Sequence, residues 1–178
     1  MDYFSSVLKL PMGFSEEPRP GSLHRIKLSR FGSITKKIGW DYSRVVRNSI
    51  VVSVNKRIKL HAVRLFGNKR KISSVTLNVT DSNGVALATK TGMFMSQLLQ
   101  CERGNYQGFD IAFESPVALQ AGIQYSLDAS IRGPPSWWGE DGLPCVEHAG
   151  VTFLFADKAG LDTSVYTGQF PELLFTVY

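Results

Sequence analysis

The stretch Ile123-Gln-Tyr-Ser-Leu-Asp-Ala-Ser-Ile-Arg132 alternates without a break. Ile123, Tyr125, Leu127, Ala129 and Ile131 are apolar, and Gln124, Ser126, Asp128, Ser130 and Arg132 are polar. A strand turns successive side chains to opposite faces, so a period of two puts one set in a core and the other in water. Outward from this stretch the pattern recurs. Val75, Leu77 and Val79 alternate with Thr76, Asn78 and Thr80, and Phe109, Ile111 and Phe113 alternate with Asp110, Ala112 and Glu114. Ser49–Val54, Ile58–Phe66, Val85–Lys90, Val151–Phe155 and Leu173–Val177 are rich in β-branched and aromatic residues and predict further strands. Gly67-Asn68, Gly104-Asn105, Gly133-Pro134-Pro135 and Asp141-Gly142 mark turns between them. Asp81-Ser82-Asn83-Gly84 reads as a hairpin, because Asn and Gly tolerate the positive φ of such turns. Many short strands at regular spacing predict an all-β, antiparallel β-sandwich. One helical turn is expected, over Phe94–Cys101.

The 178 residues are 43% hydrophobic and 20% charged, an ordinary globular mix with enough chain for a core that needs no disulfide or metal. No apolar run approaches the ~18 residues of a membrane span, and Met1–Leu10 is too short and polar for a signal peptide. Membrane insertion is therefore not expected. Two cysteines, Cys101 and Cys145, predict free thiols in a reducing, intracellular compartment. Residues 1–24 read as a flanking segment, with a Pro-broken polar stretch over Ser15–Ser22, and residues 25–178 as the folded domain. The apolar Tyr3, Phe4, Val7, Leu8 and Leu10 are expected to dock on it as an extra strand or short helix.

Charge is unevenly spread. Residues 1–90 hold 17 Lys/Arg against 5 Asp/Glu, and residues 91–178 hold 3 against 10. Such a division fits a basic face for an acidic partner, or neutralisation between strands that lie side by side. Lys56-Arg57-Ile58-Lys59 and Lys69-Arg70-Lys71 flank one strand, and they read most simply as solvated strand ends. Nucleic-acid binding is the competing reading, but no recognised motif accompanies these charges.

Catalytic and metal signatures are not found. His24, His61 and His148 lie far apart and no CxxC occurs, so no zinc spacing exists. There is no GxSxG elbow, phosphate loop or dinucleotide fingerprint, and no small-molecule substrate or cofactor is expected. The unusual stretch is Arg132-Gly-Pro-Pro-Ser-Trp-Trp-Gly-Glu-Asp-Gly142. Two adjacent tryptophans in a Gly/Pro loop do not easily face one core together. Tryptophan desolvates a large area at little entropic cost, so the stretch is a candidate recognition surface, with Gly39-Trp-Asp-Tyr42 as a neighbouring part. The candidate partner-binding residues are Trp137, Trp138, Gly139, Gly142 and Arg132, with Trp40 and Tyr42 beside them. Gly139, Gly142 and Gly168 read equally well as structural turn residues.

A resemblance rests on an ordered set of these segments. It runs through Arg30-Phe31, Gly39–Tyr42, Ile50–Val54 and Ile58–Gly67. It continues with Phe109–Val117, Gln124-Tyr125, Arg132-Gly-Pro134, Trp138–Gly142, Gly150–Phe153 and Gly168–Phe175. In order and spacing, residues 25–178 resemble a PHR domain, named for the Pam/Highwire giant neuronal E3 ubiquitin ligases and found also in BTB-domain adaptors of cullin ligases. Trp138, where adaptors have Tyr, Phe170, where they have Ile, and the loop Lys158–Thr167 favour the giant-ligase branch. The resemblance implies an antiparallel β-sandwich of about eleven strands. It implies a monomeric protein–protein interaction module, cytoplasmic at synapses and axons, whose partners are those of a ubiquitin ligase. The parent's catalytic cysteines and zinc ligands would lie elsewhere. The alternatives are a carbohydrate- or nucleic-acid-binding sandwich, or the PHR domain of a BTB-type adaptor.

Overall fold

Alternation of apolar and polar residues becomes alternation of buried and exposed side chains throughout the computed structural model, which describes residues 24–178. The expected docking of the segment before Ser22 falls outside them. Thirteen strands form among the described residues, against the eleven or so expected. They are β1 (Ile26–Ser29), β2 (Ser33–Trp40), β3 (Val46–Val54), β4 (Ile58–Phe66), β5 (Ile72–Thr80), β6 (Ala86–Met95) and β7 (Gln97–Leu99). Then come β8 (Tyr106–Leu119), β9 (Tyr125–Arg132), β10 (Ser136–Glu140), β11 (Cys145–His148), β12 (Val151–Asp157) and β13 (Glu172–Val177).

Two sheets face each other. One runs β1-β13-β4-β8-β7 and the other β11-β12-β3-β9-β5-β6, while β10 and β2 pair as a separate ribbon. Every pairing of named strands is antiparallel. The fold is the antiparallel sandwich that the strand spacing predicts.

In β9, Tyr125, Leu127, Ala129 and Ile131 are buried as expected, whereas Ile123 lies ahead of the strand and is exposed. Leu127 is held between Ile50 of β3 and Val79 of β5, all fully buried. Burying such a side chain stabilises by about 1.5–3 kcal/mol, and dozens of them offset the entropy of ordering the chain. Leu65 of β4 joins this core from the opposite sheet. Its neighbour Phe66 points the other way, into a second cluster with Phe31, Leu99 and Tyr106, against which Ile34 and Trp137 pack. The five-stranded sheet is thus apolar at one end of its outer face too, and that end carries the β2–β10 ribbon.

The Asp81–Gly84 turn forms as predicted. Asp81 Oδ1 accepts the N–H groups of Asn83 and Val85 at 2.9 Å, and Gly84 takes φ 77°. The helical turn expected over Phe94–Cys101 does not form. Phe94 turns inward and stacks on Phe109 at 5.4 Å, while Met93 and Met95 point to solvent. Gln97–Leu99 then crosses to β8 in the other sheet. Apolar residues that sit three and four apart here are divided between two sheets, so long-range pairing overrides a local helical spacing. The loop expected over Arg132–Gly142 is also corrected: Ser136–Glu140 is a strand, paired with β2.

Candidate functional site

β10 leaves the end of β9 through Gly133-Pro134-Pro135. Gly133 donates its N–H to the Tyr42 carbonyl at 2.9 Å, which ties the two candidate segments together. The register between β10 and β2 is irregular from Ser136 to Trp138, so Trp137 has no ladder partner. Its N–H instead donates to the Gly67 carbonyl at 3.2 Å, at the end of β4. The two tryptophans diverge, as successive strand residues must. Trp138 lies over Gly39 and meets Trp40 with ring centroids 6.0 Å apart, and its Nε1 donates to Glu140 at 3.1 Å. Trp137 packs by one edge against the Phe66 cluster. Its remaining surface lines a groove of about 580 Å³ with Lys69, Arg70, Ser96, Gln97, Leu98 and Gln107. Both indoles are half-buried.

Beneath them lies a polar hub. Gln169 is fully buried, and its Oε1 accepts the Phe66 N–H at 2.8 Å. Its Nε2 donates to Tyr42 Oη and Ser136 Oγ, each at 3.0 Å. Burial pushes the Tyr42 hydroxyl well above the ordinary tyrosine range, so it stays a neutral hydrogen-bonding group. Tyr42 is 1% exposed. It belongs to the support of the site and not to a surface that touches a partner.

The 163–170 loop is fastened by Arg30, 2% exposed. Its guanidinium donates to the carbonyls of Ser164, Val165, Gln169 and Phe170 at 2.7–3.2 Å and lies 4.0 Å from the Phe31 ring centre. Burial pushes its pKa down to about 9, against the pull of Asp157, and the group remains charged at neutral pH. Gly139 exchanges both backbone hydrogen bonds with Gly168, at 3.0 Å. A Cβ on Gly139 would enter the Phe31 ring, and one on Gly142 would run into the Val165 carbonyl oxygen. Both glycines are buried and structural, the second of the two readings the sequence allowed for them.

The candidate residues therefore divide. Trp137, Trp138 and Trp40 are half-exposed, and Arg132 is exposed at the end of β9, opposite Ser74. Tyr42, Gly139 and Gly142 hold the backbone. Sequence reasoning did not connect Lys69, Arg70, Gln97 and Leu98 with Trp137. They are about forty to seventy positions away in the chain, and only the β4–β8–β7 pairing brings them together.

Outside this region, both cysteines are free, as expected. Cys101 Sγ lies 3.2 Å from Ser29 Oγ, beyond β7, whereas His148 is on β11 in the other sheet. Buried Glu172 accepts from Arg64 at 3.0 Å and from Tyr106 Oη at 2.6 Å, in a network that ties β13 to β4 and β8. A family model described as the PHR domain matches residues 29–176, from the end of β1 into β13.

Proposed function

The chain belongs to the PHR domain family, and from that premise we propose that it is a non-catalytic protein-recognition module of a large E3 ubiquitin ligase of the Pam/Highwire kind. It helps recruit or position substrates or regulators in the neuronal cytoplasm, at synapses and along axons. It acts as a monomer, needs no cofactor, and leaves ubiquitin transfer to other parts of the parent protein.

Trp137 is the observation that supports this reading. A half-exposed indole stands on a backbone fixed by Gly67 on one side and by the Gln169–Ser136 hub on the other. A rigid aromatic beside a groove is the arrangement that concentrates binding energy at protein interfaces, because little entropy remains to be lost on contact. Buried polar groups around it hold the scaffold together: Arg30 fastens 163–170, Gln169 joins β4 to β10, and Glu172 joins β13 to β8.

The test is a paired affinity capture from neuronal lysate with the wild-type chain and a Trp137→Ala/Trp138→Ala variant shown to be folded by circular dichroism. Specific proteins are expected to be lost with the folded variant. Unchanged capture would show that the tryptophan loop is not the recognition surface.

A further inference from the structure

Resting on that reading of the Trp137 loop, we infer that the groove between Trp137 and β7 receives an extended acidic segment of a partner protein. The segment adds a strand to the free edge of β7 and sets its carboxylates against Lys69 and Arg70.

Charge is the first argument. Lys69, Arg70 and Lys71 are consecutive and exposed. Ion pairs among the described residues use Arg47, Arg64 and Lys158, so this triplet has no carboxylate within 4.0 Å there. Among the described residues, the neutralisation between strands that pairs Arg47 and Arg64 does not reach it.

Rigidity is the second. The backbone that carries the triplet is tied down: Lys71 N–H donates to the Asn68 carbonyl at 3.0 Å, Asn68 N–H to Ser96 Oγ at 3.2 Å, and Ser96 N–H to the Lys71 carbonyl at 2.9 Å. Arg70 is held at φ 56°, a left-handed conformation that an arginine adopts at a cost. Residues held in this region cluster at functional sites, ligand clamps among them.

The edge is the third. Among the described residues β7 is the last strand of its sheet, so the backbone N–H and C=O groups of Gln97–Leu99 that do not bond β8 face no neighbouring strand there. Leu98 is 59% exposed there and lines the same groove as Gln97, Gln107 and Trp137. Strand addition draws affinity from main-chain hydrogen bonds and specificity from alternate side chains. A partner strand would turn acidic residues to the Lys69–Arg70 wall and apolar ones to Trp137 and Leu98. Nucleic acid could use the same cations but would leave the β7 amide edge idle, and three adjacent charges form a cluster where a nucleic-acid strand needs a track.

The test is fluorescence anisotropy with four labelled probes and the full chain. They are a peptide of alternating Glu and Val with a central Phe, its Gln-for-Glu counterpart, the acidic peptide N-methylated at alternate amides, and a short oligo-dT. The key variant is Lys69→Gln/Arg70→Gly, which removes two charges while giving the left-handed position the residue that favours it, so folding is preserved. Lys36→Gln/Lys37→Gln removes two charges elsewhere.

The acidic peptide is expected to bind, more weakly as salt rises. The Gln and N-methyl probes are expected to bind at least about tenfold more weakly, as is the acidic peptide with Lys69→Gln/Arg70→Gly. Lys36→Gln/Lys37→Gln is expected to change nothing. Equal binding by the Gln probe, an intact affinity in Lys69→Gln/Arg70→Gly, no binding up to about 1 mM, or tighter binding of oligo-dT would each overturn the inference. Lysate capture separates this failure from the failure of the broader reading. Partners lost with Trp137→Ala/Trp138→Ala but kept with Lys69→Gln/Arg70→Gly would leave a recognition loop whose partners are not acidic strands.

Discussion

Gln169 spends both ends of its amide on the region that carries Trp137. It joins β4 through the Phe66 N–H, β10 through Ser136 and the Tyr42 turn through its hydroxyl. A buried polar group that loses its partner costs about 1–3 kcal/mol. Gln169→Leu strands the Phe66 N–H and the Tyr42 hydroxyl, while Ser136 Oγ keeps its bond to the Trp137 carbonyl, so a loss of roughly 2–5 kcal/mol is expected in urea unfolding. Tyr42→Phe removes a single bond and is expected to cost about 1 kcal/mol. A Gln169→Leu loss no larger than that of Tyr42→Phe would mean that Gln169 is one packed side chain among many. The comparison also separates support from recognition. Tyr42→Phe is expected to leave peptide and protein binding intact, because its ring is inside the core. The sequence places Tyr42 next to Trp40 and so makes them look alike. Only the fold shows that one is half-exposed and the other buried.

At the scale of elements, β9 was legible because both its neighbours are interior strands and one of its faces is fully enclosed. The same holds for β4, and β5 likewise encloses one face although its outer neighbour β6 is an edge strand. β2 shows no strand pattern, since every one of its side chains is partly or fully exposed and nothing enforces a period of two. β10 was hidden by its flanking Gly and Pro, and by two tryptophans that face opposite ways and so break any apolar alternation. The candidate site was legible as a composition, two tryptophans in an odd stretch. Its basic wall was not, because strand order is what brings Arg70 and Trp137 to one groove. Turn chemistry, by contrast, is local and reads directly. Asp81 caps the β5–β6 hairpin by accepting two N–H groups. Asp81→Ala is expected to cost about 1–2 kcal/mol and to speed amide exchange in β6 before other strands, since among the described residues β6 pairs with β5 alone. Uniform exchange across both sheets would show that the turn is not a local determinant.

Across the whole molecule, the split between a basic first half and an acidic second half is partly cancelled by pairing between strands. Asp128 of β9 gathers Arg47 at 3.2 Å, Lys158 at 3.0 Å and the Ser49 hydroxyl, with its own side chain only 8% exposed. Burial alone would raise its pKa, but the Ser49 and Lys158 hydrogen bonds and the two cations outweigh it and hold the carboxyl below its usual 3.8. A carboxyl whose folded pKa is lowered contributes stability that is present above its unfolded value and lost as pH falls through the folded one. His61, hydrogen-bonded to Thr176 at 2.8 Å, is lowered by burial and by the nearby Arg25 and Lys59. Its contribution has the same sign and is complete above 6.5. The urea midpoint is therefore expected to be flat with respect to these two groups above pH 6.5, to begin falling below it, and to fall again as pH drops under 3.8. Asp128→Asn is expected to lower stability at neutral pH and to flatten the acid limb, because the variant has no proton to take up there. His61→Gln is expected to flatten only the earlier decline. If Asp128→Asn leaves the acid limb as steep as in the wild type, the cluster joining β3, β9 and Lys158 is not what ties stability to charge pairing, and the ladder of Arg64 with Asp110 and Glu172 becomes the structure to test.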